Sequence, residues 1–372
     1  MKIAVSTGGG DAPGLNGVIR AVVLSACRRG WEVLGIRNGY QGLIEDDPRG
    51  LVVLDVEAVR GIAHLGGTIL GTTNRGDPFH YPKPNERGEL VPTDVSAHMI
   101  ARAKALGIDA MIALGGDGSM RLAARLLERG LPRVIGVPKT IDNDLRGTDI
   151  TFGFETAVAT ATDALDKLHT TAQSHRRVMV VEVMGRYAGW IALHSGIAGG
   201  ADVVLLPEIP FDLGAVCEKI EARYNGGREF AIVVVAEGAT PQGGQLIFKG
   251  EKTAFKEHGL LGGIGEYVAR EIASRTGRET RSLVLGHLQR GGSPVTSDRV
   301  LAQRLGCSAT RFLAETDKSG MVAVIGGHMS LVPLQDLIDG PRLVDAANDL
   351  IRTGRELNMC FGSEAAGTFG KR

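Results

Sequence analysis

The sequence predicts an α/β fold of two domains, each built on a mainly parallel sheet flanked by helices. Short apolar runs alternate along the chain with segments of helical periodicity, which is typical of parallel strands joined by helices. Glycines stand mostly where an apolar run ends, at positions where the backbone must turn tightly. With 372 residues, the chain is long enough for two domains that each have a core.

The period of the apolar residues assigns each element in order along the chain. The predicted strands cover 3–5, 33–36, 110–114, 134–137, 178–183, 203–206, 231–236, 282–285 and 321–325. The predicted helices cover 15–28, 96–106, 120–128, 157–170, 264–276 and 297–315. We expect a first domain of 1–150 together with about 290–340, a second domain of about 151–289, and a C-terminal segment of about 341–372 that carries no motif.

Composition argues against several classes of partner. Lys plus Arg and Asp plus Glu both number 42, so there is no basic excess to attract nucleic acid or an anionic membrane. The four cysteines are scattered, without the CxxC spacing of a metal or redox site. The first residues lack the apolar stretch of a signal peptide, and no apolar run is long enough for a membrane span. We therefore expect a reduced, cytoplasmic protein.

Two of the predicted strands end in acidic loops. GGDGS at 115–119 and PKTIDND at 138–144 each follow a predicted strand directly, and together they supply Asp117, Asp142 and Asp144. Because parallel strands end at one edge of a sheet, we expect the two loops to lie at the same edge. Glycine N–H groups can approach a polyphosphate, and carboxylates can hold Mg²⁺ or accept the proton of an attacking hydroxyl. These residues predict phosphoryl transfer.

Each acidic residue also has a structural alternative. We interpret Asp142 as the base and place Asp117 and Asp144 around Mg²⁺. Asp117 could instead be a helix N-cap, and Asp142 and Asp144 could simply form turns. The segment TGGGDAPGLN at 7–16 reads as strand, glycine loop and helix, an arrangement that aims backbone N–H groups at an anion. A tight turn without a ligand is the alternative there.

Basic residues follow two further predicted strands. Arg186 stands in a glycine turn, where its planar fork suits bidentate binding of an anion such as phosphate. His287 and Arg290 have glycines on both sides and predict a second anion site. Solvated surface charge is the alternative for the arginines, and a satisfied structural role is the alternative for the histidine.

These segments occur together in one known family. TGGGDAPGLN, LGTTNRG, GGDGS, PKTIDND, SHRR, VEVMGRYAGW, LLPE, AEG, ETR and GHLQRGGSP follow one another in the order found in 6-phosphofructokinases. Over residues 1–327 the chain therefore resembles the superfamily of ATP- and pyrophosphate-dependent phosphofructokinases. The resemblance implies an active site in the cleft between two α/β domains.

The resemblance also implies a reaction and a role for each matching residue. Fructose 6-phosphate would be phosphorylated at its 1-hydroxyl, with Asp142 accepting the proton. The other implied catalytic residues are Thr140, Asp144 and Arg186, and the implied Mg²⁺ ligands are Asp117 and Asp144. The implied donor-binding residues are Gly10, Tyr40, Arg75, Gly116, Gly118 and Ser119. The implied sugar-phosphate residues are Thr140, Asp142, Arg177, Met184, Gly185, Arg186, Glu237, Arg281, His287 and Arg290.

Arg177 and Arg281 would reach the 6-phosphate of a neighbouring subunit's substrate. An active site completed in this way implies a homodimer or a homotetramer.

Two positions bear on the phosphoryl donor. Pyrophosphate-dependent members of the family typically carry Asp where this chain has Gly118, and that carboxylate would crowd the α-phosphate of ATP. Regulated bacterial ATP enzymes usually carry Gly where this chain has Lys139, whereas pyrophosphate enzymes carry Lys. The combination resembles the mixed-substrate subgroup, whose Gly-bearing members use ATP. The sequence thus predicts Mg²⁺ and ATP as the donor pair.

Two alternatives remain at this stage. One is pyrophosphate-dependent transfer to the same sugar. The other is a non-catalytic sugar-phosphate sensor on the same fold, against which the intact set of Asp117, Asp142, Arg186, His287 and Arg290 argues.

Overall fold

The computed structural model describes residues 1–73, 76–246, 262–337 and 340–363. The chain divides into two compact units. The first consists of Met1–Ile141, Leu145–Thr156 and Arg290–Gly340, and the second consists of Asp142–Asp144, Ala157–Gln289 and the residues from Pro341 onward. That the first unit binds the phosphoryl donor and the second binds the sugar phosphate stays a prediction.

Strands and helices alternate through most of the chain. The strands are β1 (Lys2–Thr7), β2 (Glu32–Ile36), β3 (Leu51–Val53), β4 (Tyr81–Pro84), β5 (Leu90–Thr93), β6 (Ala110–Gly115), β7 (Arg133–Pro138), β8 (Val178–Val183), β9 (Val203–Leu205), β10 (Ala231–Ala236), β11 (Thr280–Val284), β12 (Gly320–Ile325) and β13 (His328–Val332). The helices are α1 (Leu15–Cys27), α2 (Gln41–Ile44), α3 (Ser96–Ala105), α4 (Asp117–Glu128), α5 (Phe154–His175), α6 (Trp190–Ala198), α7 (Leu213–Asn225), α8 (Ile264–Thr276), α9 (Thr296–Glu315) and α10 (Asp349–Glu356).

The first unit contains a seven-stranded sheet in the order β13-β12-β7-β6-β1-β2-β3. Its five central strands are parallel, and β13 and β3 are antiparallel edge strands. Both faces of the sheet are covered, which explains why strands such as β6 are apolar at every position. One face packs on α1 and α9, and the other packs on α3 and α4.

The second unit contains a four-stranded parallel sheet in the order β11-β8-β10-β9. A core of aliphatic side chains and Phe211 packs α7 and α8 against one face of this sheet. The C-terminal segment belongs to this unit, because Cys360 forms a bridge beside Val203 at the β9 edge. Phe361 in this segment is buried, and its ring packs so close to Gly354 of α10 that it would contact any side chain placed there.

The predicted α/β class with mainly parallel sheets is confirmed. Four helices were missed, namely α2, α6, α7 and α10. Helix α6 is buried along most of its length, so it shows no polar face from which a helical period could be read. Among the described residues, no helix is long and apolar enough to cross a membrane.

Candidate functional site

In the first unit, the loop from β1 to α1 and the loop from β6 to α4 lie side by side. The Gly8 amide donates to the Leu114 carbonyl at 2.9 Å. A Cβ placed on Gly8 would lie 2.8 Å from the Ser119 Oγ, and one placed on Gly115 would lie 2.2 Å from the same atom. Gly8 and Gly115 therefore leave room for the Ser119 side chain where the two loops meet. The parallel neighbours β1, β6 and β7 bring their ends to this edge.

Asp117 opens helix α4 with its carboxylate partly exposed. Gly116 is the N-cap residue, so the alternative that Asp117 is the cap is wrong. The carboxylate forms an ion pair with Arg121, with Nη2 and Oδ2 3.0 Å apart, and its side chain is 37% exposed. A carboxylate on the first turn is also favoured by the helix dipole.

The residues around Asp117 fit an Mg²⁺ ion that brings most of its own ligands. Within the described ranges, no three His, Cys, Asp or Glu residues are grouped as a metal site. Mg²⁺, however, commonly takes only one or two protein carboxylates and completes its shell with water and substrate phosphates. Asp117, on a glycine-rich edge and accessible to solvent, fits such an ion if the ion arrives with a polyphosphate.

The two positions that bear on the donor have opposite surroundings. A Cβ placed on Gly118 would meet no atom within 4 Å, so a side chain there would extend into open space. Lys139 is only 4% exposed, and its ammonium donates to the carbonyl oxygen of Gly10. The amine also lies 3.4 Å from a Cβ placed on Gly9, which has a positive φ of 74°. A positive charge is thus held against the glycine loop while the space beside Gly118 stays open.

The Arg290 side chain lies against the same glycine loop. Its Nη1 donates to the carbonyl oxygen of Asp11 at 3.1 Å, and the same atom lies 3.1 Å from a Cβ placed on Gly10. The resemblance implies a contact of Arg290 with the sugar 6-phosphate only. Its guanidinium also supports the loop predicted to bind the donor.

Two other predicted donor residues, Tyr40 and Arg75, and the predicted catalytic residue Thr140 differ in what the structure shows. Tyr40 is 6% exposed within the core, and burial raises the pKa of its phenol, which bonds to Ser6. Its side chain packs in the core, and its place near the nucleotide stays a prediction. Arg75 lies outside the described residues. Thr72, earlier in the same segment, donates its hydroxyl to the Gly9 carbonyl at 2.5 Å. The Thr140 carbonyl accepts the Thr151 hydroxyl at 2.7 Å.

In the second unit, the turns after β8 and β10 interlock. The Glu237 amide donates to the Val183 carbonyl at 2.9 Å, and the Gly238 amide donates to the Gly185 carbonyl at 3.1 Å. A Cβ placed on Gly238 would lie 2.0 Å from the Arg186 carbonyl oxygen, so only glycine fits there. This contact places the predicted sugar residues Met184, Gly185, Arg186 and Glu237 on two adjoining turns.

The Arg186 side chain has unused donor capacity. Its Nε is buried, and no hydrogen-bond acceptor for it is found among the described residues. The guanidinium lies 5.3 Å from the ring centroid of Tyr187. A buried donor without an acceptor is costly, and an anionic ligand would supply the acceptor.

Arg177 and Arg281 share one carboxylate. Arg177 Nη2 lies 2.8 Å and Arg281 Nη2 lies 2.7 Å from Oε1 of Glu279. The strand register explains this, because Thr280 pairs with Val178 and so sets the entries of β8 and β11 side by side. The two arginines lower the pKa of Glu279 through its hydrogen bond with Arg177 and their positive charges. Sequence reasoning missed Glu279, although it adjoins Arg281.

His287 is exposed on the short helix Gly286–Arg290, so its imidazole is accessible to a ligand. Asp142 and Asp144 are both half-buried and flank Asn143, which has a left-handed φ of 52°. The Asn143 carbonyl accepts two hydrogen bonds from the Arg342 side chain, at 2.9 and 3.2 Å. The acidic loop is therefore held by a residue far along the chain.

Three acids that were not selected from the sequence, two of them buried and Glu208 partly buried, accept hydrogen bonds at the starts of helices. Glu182 accepts from the Gly265 amide at 2.8 Å, at the start of α8. Glu208 accepts from the Gly189 amide at 3.0 Å, at the start of α6. Asp298 accepts from the Thr156 amide at 2.8 Å, at the start of α5. Desolvation raises the pKa of both Glu208 and Asp298. The segment LLPE contains Glu208, but no local sequence pattern identifies the residues that donate hydrogen bonds to it.

Comparisons with known proteins all assign the chain to the same family. Residues 2–313 match the family described as Phosphofructokinase. An ATP-dependent 6-phosphofructokinase of Chloroflexus aurantiacus is 49% identical over 98% of both chains. One of Clostridium perfringens, named ATP-dependent 6-phosphofructokinase 2, is 46% identical over 97% of this chain and 98% of its own. A pyrophosphate--fructose 6-phosphate 1-phosphotransferase of Amycolatopsis mediterranei is 50% identical over 90% of this chain and 94% of its own.

Solved structures agree on the fold. The T-state phosphofructokinase of Pichia pastoris superposes with a TM-score of 0.76 at 30% identity, covering 96% of this chain. This chain spans 36% of the length of the Pichia chain. A pyrophosphate-dependent phosphofructokinase of Marinobacter aquaeolei has a TM-score of 0.76 at 22% identity and covers all of this chain and 95% of its own, which shows the shared fold alone.

Proposed function

Because this chain belongs to the phosphofructokinase family, we propose that it transfers the γ-phosphoryl group of ATP to the 1-hydroxyl of fructose 6-phosphate. The products are fructose 1,6-bisphosphate and ADP. The observation that carries the choice of donor is the open space beside Gly118, next to the neighbouring glycine loops of the first unit. The names of relatives that match over nearly the whole chain support the same choice.

The first unit is assigned to the donor. The loop after β1 lies against the start of α4, where Gly116 and Ser119 stand, and a helix start favours anions. Lys139 and Arg290 add positive charge against the carbonyl oxygens of that loop. Asp117 would hold Mg²⁺ together with the phosphate oxygens, and Asp144 is proposed as a second ligand. When bound, the ion would neutralise charge on the phosphates.

The second unit is assigned to the sugar phosphate. Arg186 offers its buried Nε to an anion, and Glu237 lies on the adjoining turn, where its carboxylate suits sugar hydroxyls. Met184 and Gly185 shape the same turn. The exposed His287 is proposed to contact the 6-phosphate.

Arg177 and Arg281 are proposed to complete this phosphate site in a neighbouring subunit. Glu279 holds the two guanidinium groups together and leaves most of their N–H donors for another acceptor. A homodimer or homotetramer follows from this proposal. The four cysteines are free, and with a nucleotide as substrate they suit a cytoplasmic location.

The chemical step needs a base more than a covalent intermediate. The O1–phosphorus bond forms as the bond from phosphorus to the bridging oxygen of ADP breaks, and the proton of the 1-hydroxyl passes to the Asp142 carboxylate. Phosphoryl transfer depends mostly on positioning and charge stabilisation, so Thr140 and Arg186 are assigned to alignment and neutralisation.

Pyrophosphate as the donor is favoured by one feature of the structure and by one relative. The Lys139 ammonium lies on the donor loop, where it could neutralise a small diphosphate, and a relative named as pyrophosphate-dependent is 50% identical. Transfer from pyrophosphate to the same hydroxyl is therefore the second candidate.

The test is product analysis with the purified protein. Incubation with Mg²⁺, ATP and fructose 6-phosphate should give fructose 1,6-bisphosphate and ADP in a one-to-one ratio. Asp142→Asn protein is the control for contaminating kinases. Sugar bisphosphate formed at equal rates by both proteins would refute the proposal.

A further inference from the structure

The C-terminal segment carries no motif, yet it contacts the acidic loop directly. The Arg342 amide donates to the Asp144 carbonyl oxygen at 2.7 Å. The Arg342 Nε and Nη2 donate to the Asn143 carbonyl oxygen at 3.2 and 2.9 Å. Three donors of one residue thus hold two successive carbonyl groups in the segment Asp142–Asp144, and all of these residues belong to the second unit.

The guanidinium that makes these contacts is itself held in place. It lies 4.7 Å from the ring centroid of Trp190, and the indole Nε1 donates to the Arg342 carbonyl oxygen at 2.9 Å. Trp190 is 8% exposed and is the first residue of α6, directly after the turn that carries Arg186. Stacking of this kind fixes the plane of an arginine fork, which a lysine cannot reproduce.

A second contact joins the same segment to the same helix start. The Val344 amide donates to Oε1 of Glu208 at 2.8 Å, and that carboxylate also accepts the Gly189 amide at the N-cap of α6. The segment is therefore attached on one side to the acidic loop and on the other to the turn that precedes α6.

The contacts fall where the loop most needs support. Asn143 has a left-handed φ of 52°, a conformation that costs energy for a residue other than glycine and persists only where the surroundings impose it. The peptide that Arg342 holds lies between the two carboxylate-bearing residues. Fixing this peptide fixes the directions in which Asp142 and Asp144 leave the backbone.

We propose that Arg342 is a positioning residue for the acidic loop, acting through the Asn143 peptide and oriented by Trp190. It does not touch the substrate in this account, and the proposal rests on the proposed phosphoryl transfer only for its kinetic readout. Misplacement of a reacting group by roughly 1 Å can cost about 100-fold in rate, so the expected effect falls on kcat.

The kinetic test compares Arg342→Ala with wild type under the same donor and sugar concentrations. We expect kcat to fall about 10- to 100-fold, while both KM values stay within about twofold. Arg342→Lys should stay low, because an ammonium cannot form the fork, and added guanidinium ion should restore part of the kcat of Arg342→Ala. Arg352→Ala, on the exposed face of α10 in the same segment, is the matched control and should behave as wild type.

A structural readout separates this proposal from the proposed function. Hydrogen exchange of the peptide covering 138–148 should accelerate in Arg342→Ala and stay unchanged in Arg352→Ala. An inactive wild type would overturn the proposed function, whereas this exchange result would still test the positioning role. Wild-type kcat in Arg342→Ala, full recovery in Arg342→Lys, or unchanged exchange would overturn the proposal.

If Arg342→Ala does not fold, Trp190→Phe takes its place. Phenylalanine keeps the stacking surface and removes the hydrogen bond from the indole to the Arg342 carbonyl. We expect a smaller loss of kcat, of about two- to tenfold, with the KM values unchanged. An unchanged kcat in this variant would overturn the proposal.

Discussion

The ammonium of Lys139 donates a hydrogen bond to the carbonyl oxygen of Gly10, in the loop between β1 and α1. A lysine at this position suggested a pyrophosphate enzyme in the sequence analysis. In the structure its charge supports the backbone of the donor loop, a role that is compatible with either donor. The open space beside Gly118 therefore carries more weight in the assignment.

Replacing the proposed base should affect turnover most. We expect Asp142→Asn to lower kcat by about 10²- to 10⁴-fold with little change in the KM for fructose 6-phosphate, because the amide cannot accept the proton in the transition state. Steady-state kinetics in both substrates measures this. A variant that keeps a tenth of the wild-type turnover would remove Asp142 from the role of base.

His287→Ala should raise the KM for fructose 6-phosphate and leave the KM for ATP unchanged. A charge-assisted contact to phosphate is worth about 1.5–3 kcal/mol, which corresponds to about 10- to 150-fold in KM. His328→Ala, an exposed histidine in the first unit, is the control. An unchanged sugar KM in His287→Ala would contradict the proposed 6-phosphate site.

Arg290→Ala should differ from His287→Ala in one respect. Because Arg290 donates to the Asp11 carbonyl in the donor loop, we expect its loss to raise the KM for ATP as well as that for fructose 6-phosphate. The comparison of both KM values in the two variants measures the difference. A rise confined to the sugar would show that the contact with Asp11 does not influence the donor.

Asp298→Asn tests how much the hydrogen bonds that Asp298 of α9 accepts near the start of α5 contribute to stability. The carboxylate is fully buried and accepts from the Gly153 and Thr156 amides, so an amide side chain leaves one buried donor poorly paired, at about 1–3 kcal/mol. Asp163→Asn, an exposed position on α5, is the control. Denaturant unfolding should show the loss in Asp298→Asn only.

The difference in stability between wild type and Asp298→Asn should depend on pH. Desolvation raises the folded-state pKa of Asp298 above its ordinary value of 3.8. Its ionisation therefore costs more in the folded state, and stability present at low pH is lost as the pH rises through the folded-state pKa. The stability advantage of wild type over Asp298→Asn should shrink as the pH rises. An advantage that grows with pH would contradict the direction of this shift.

Local pattern was sufficient for the sheets and for the loops at their edges. Strands such as β6 and β10 are buried and apolar along their whole length and lead directly into a glycine or an acid, so their places could be predicted from neighbouring residues alone. The supports of the site could not be predicted in this way. Arg342 and Asn143 are 199 residues apart in the chain, and Glu182 and Gly265 are 83 apart, so only the folded topology brings them together.

The measurement that tests the central claim most directly is kcat/KM for ATP and for pyrophosphate, with fructose 6-phosphate, in wild type and in Gly118→Asp. Wild type should prefer ATP strongly. The variant should lose most of its activity with ATP, because the new carboxylate would extend into the open space and face phosphate oxygens in a site of reduced dielectric. A wild type that prefers pyrophosphate would contradict the account, since Lys139 would then outweigh Gly118.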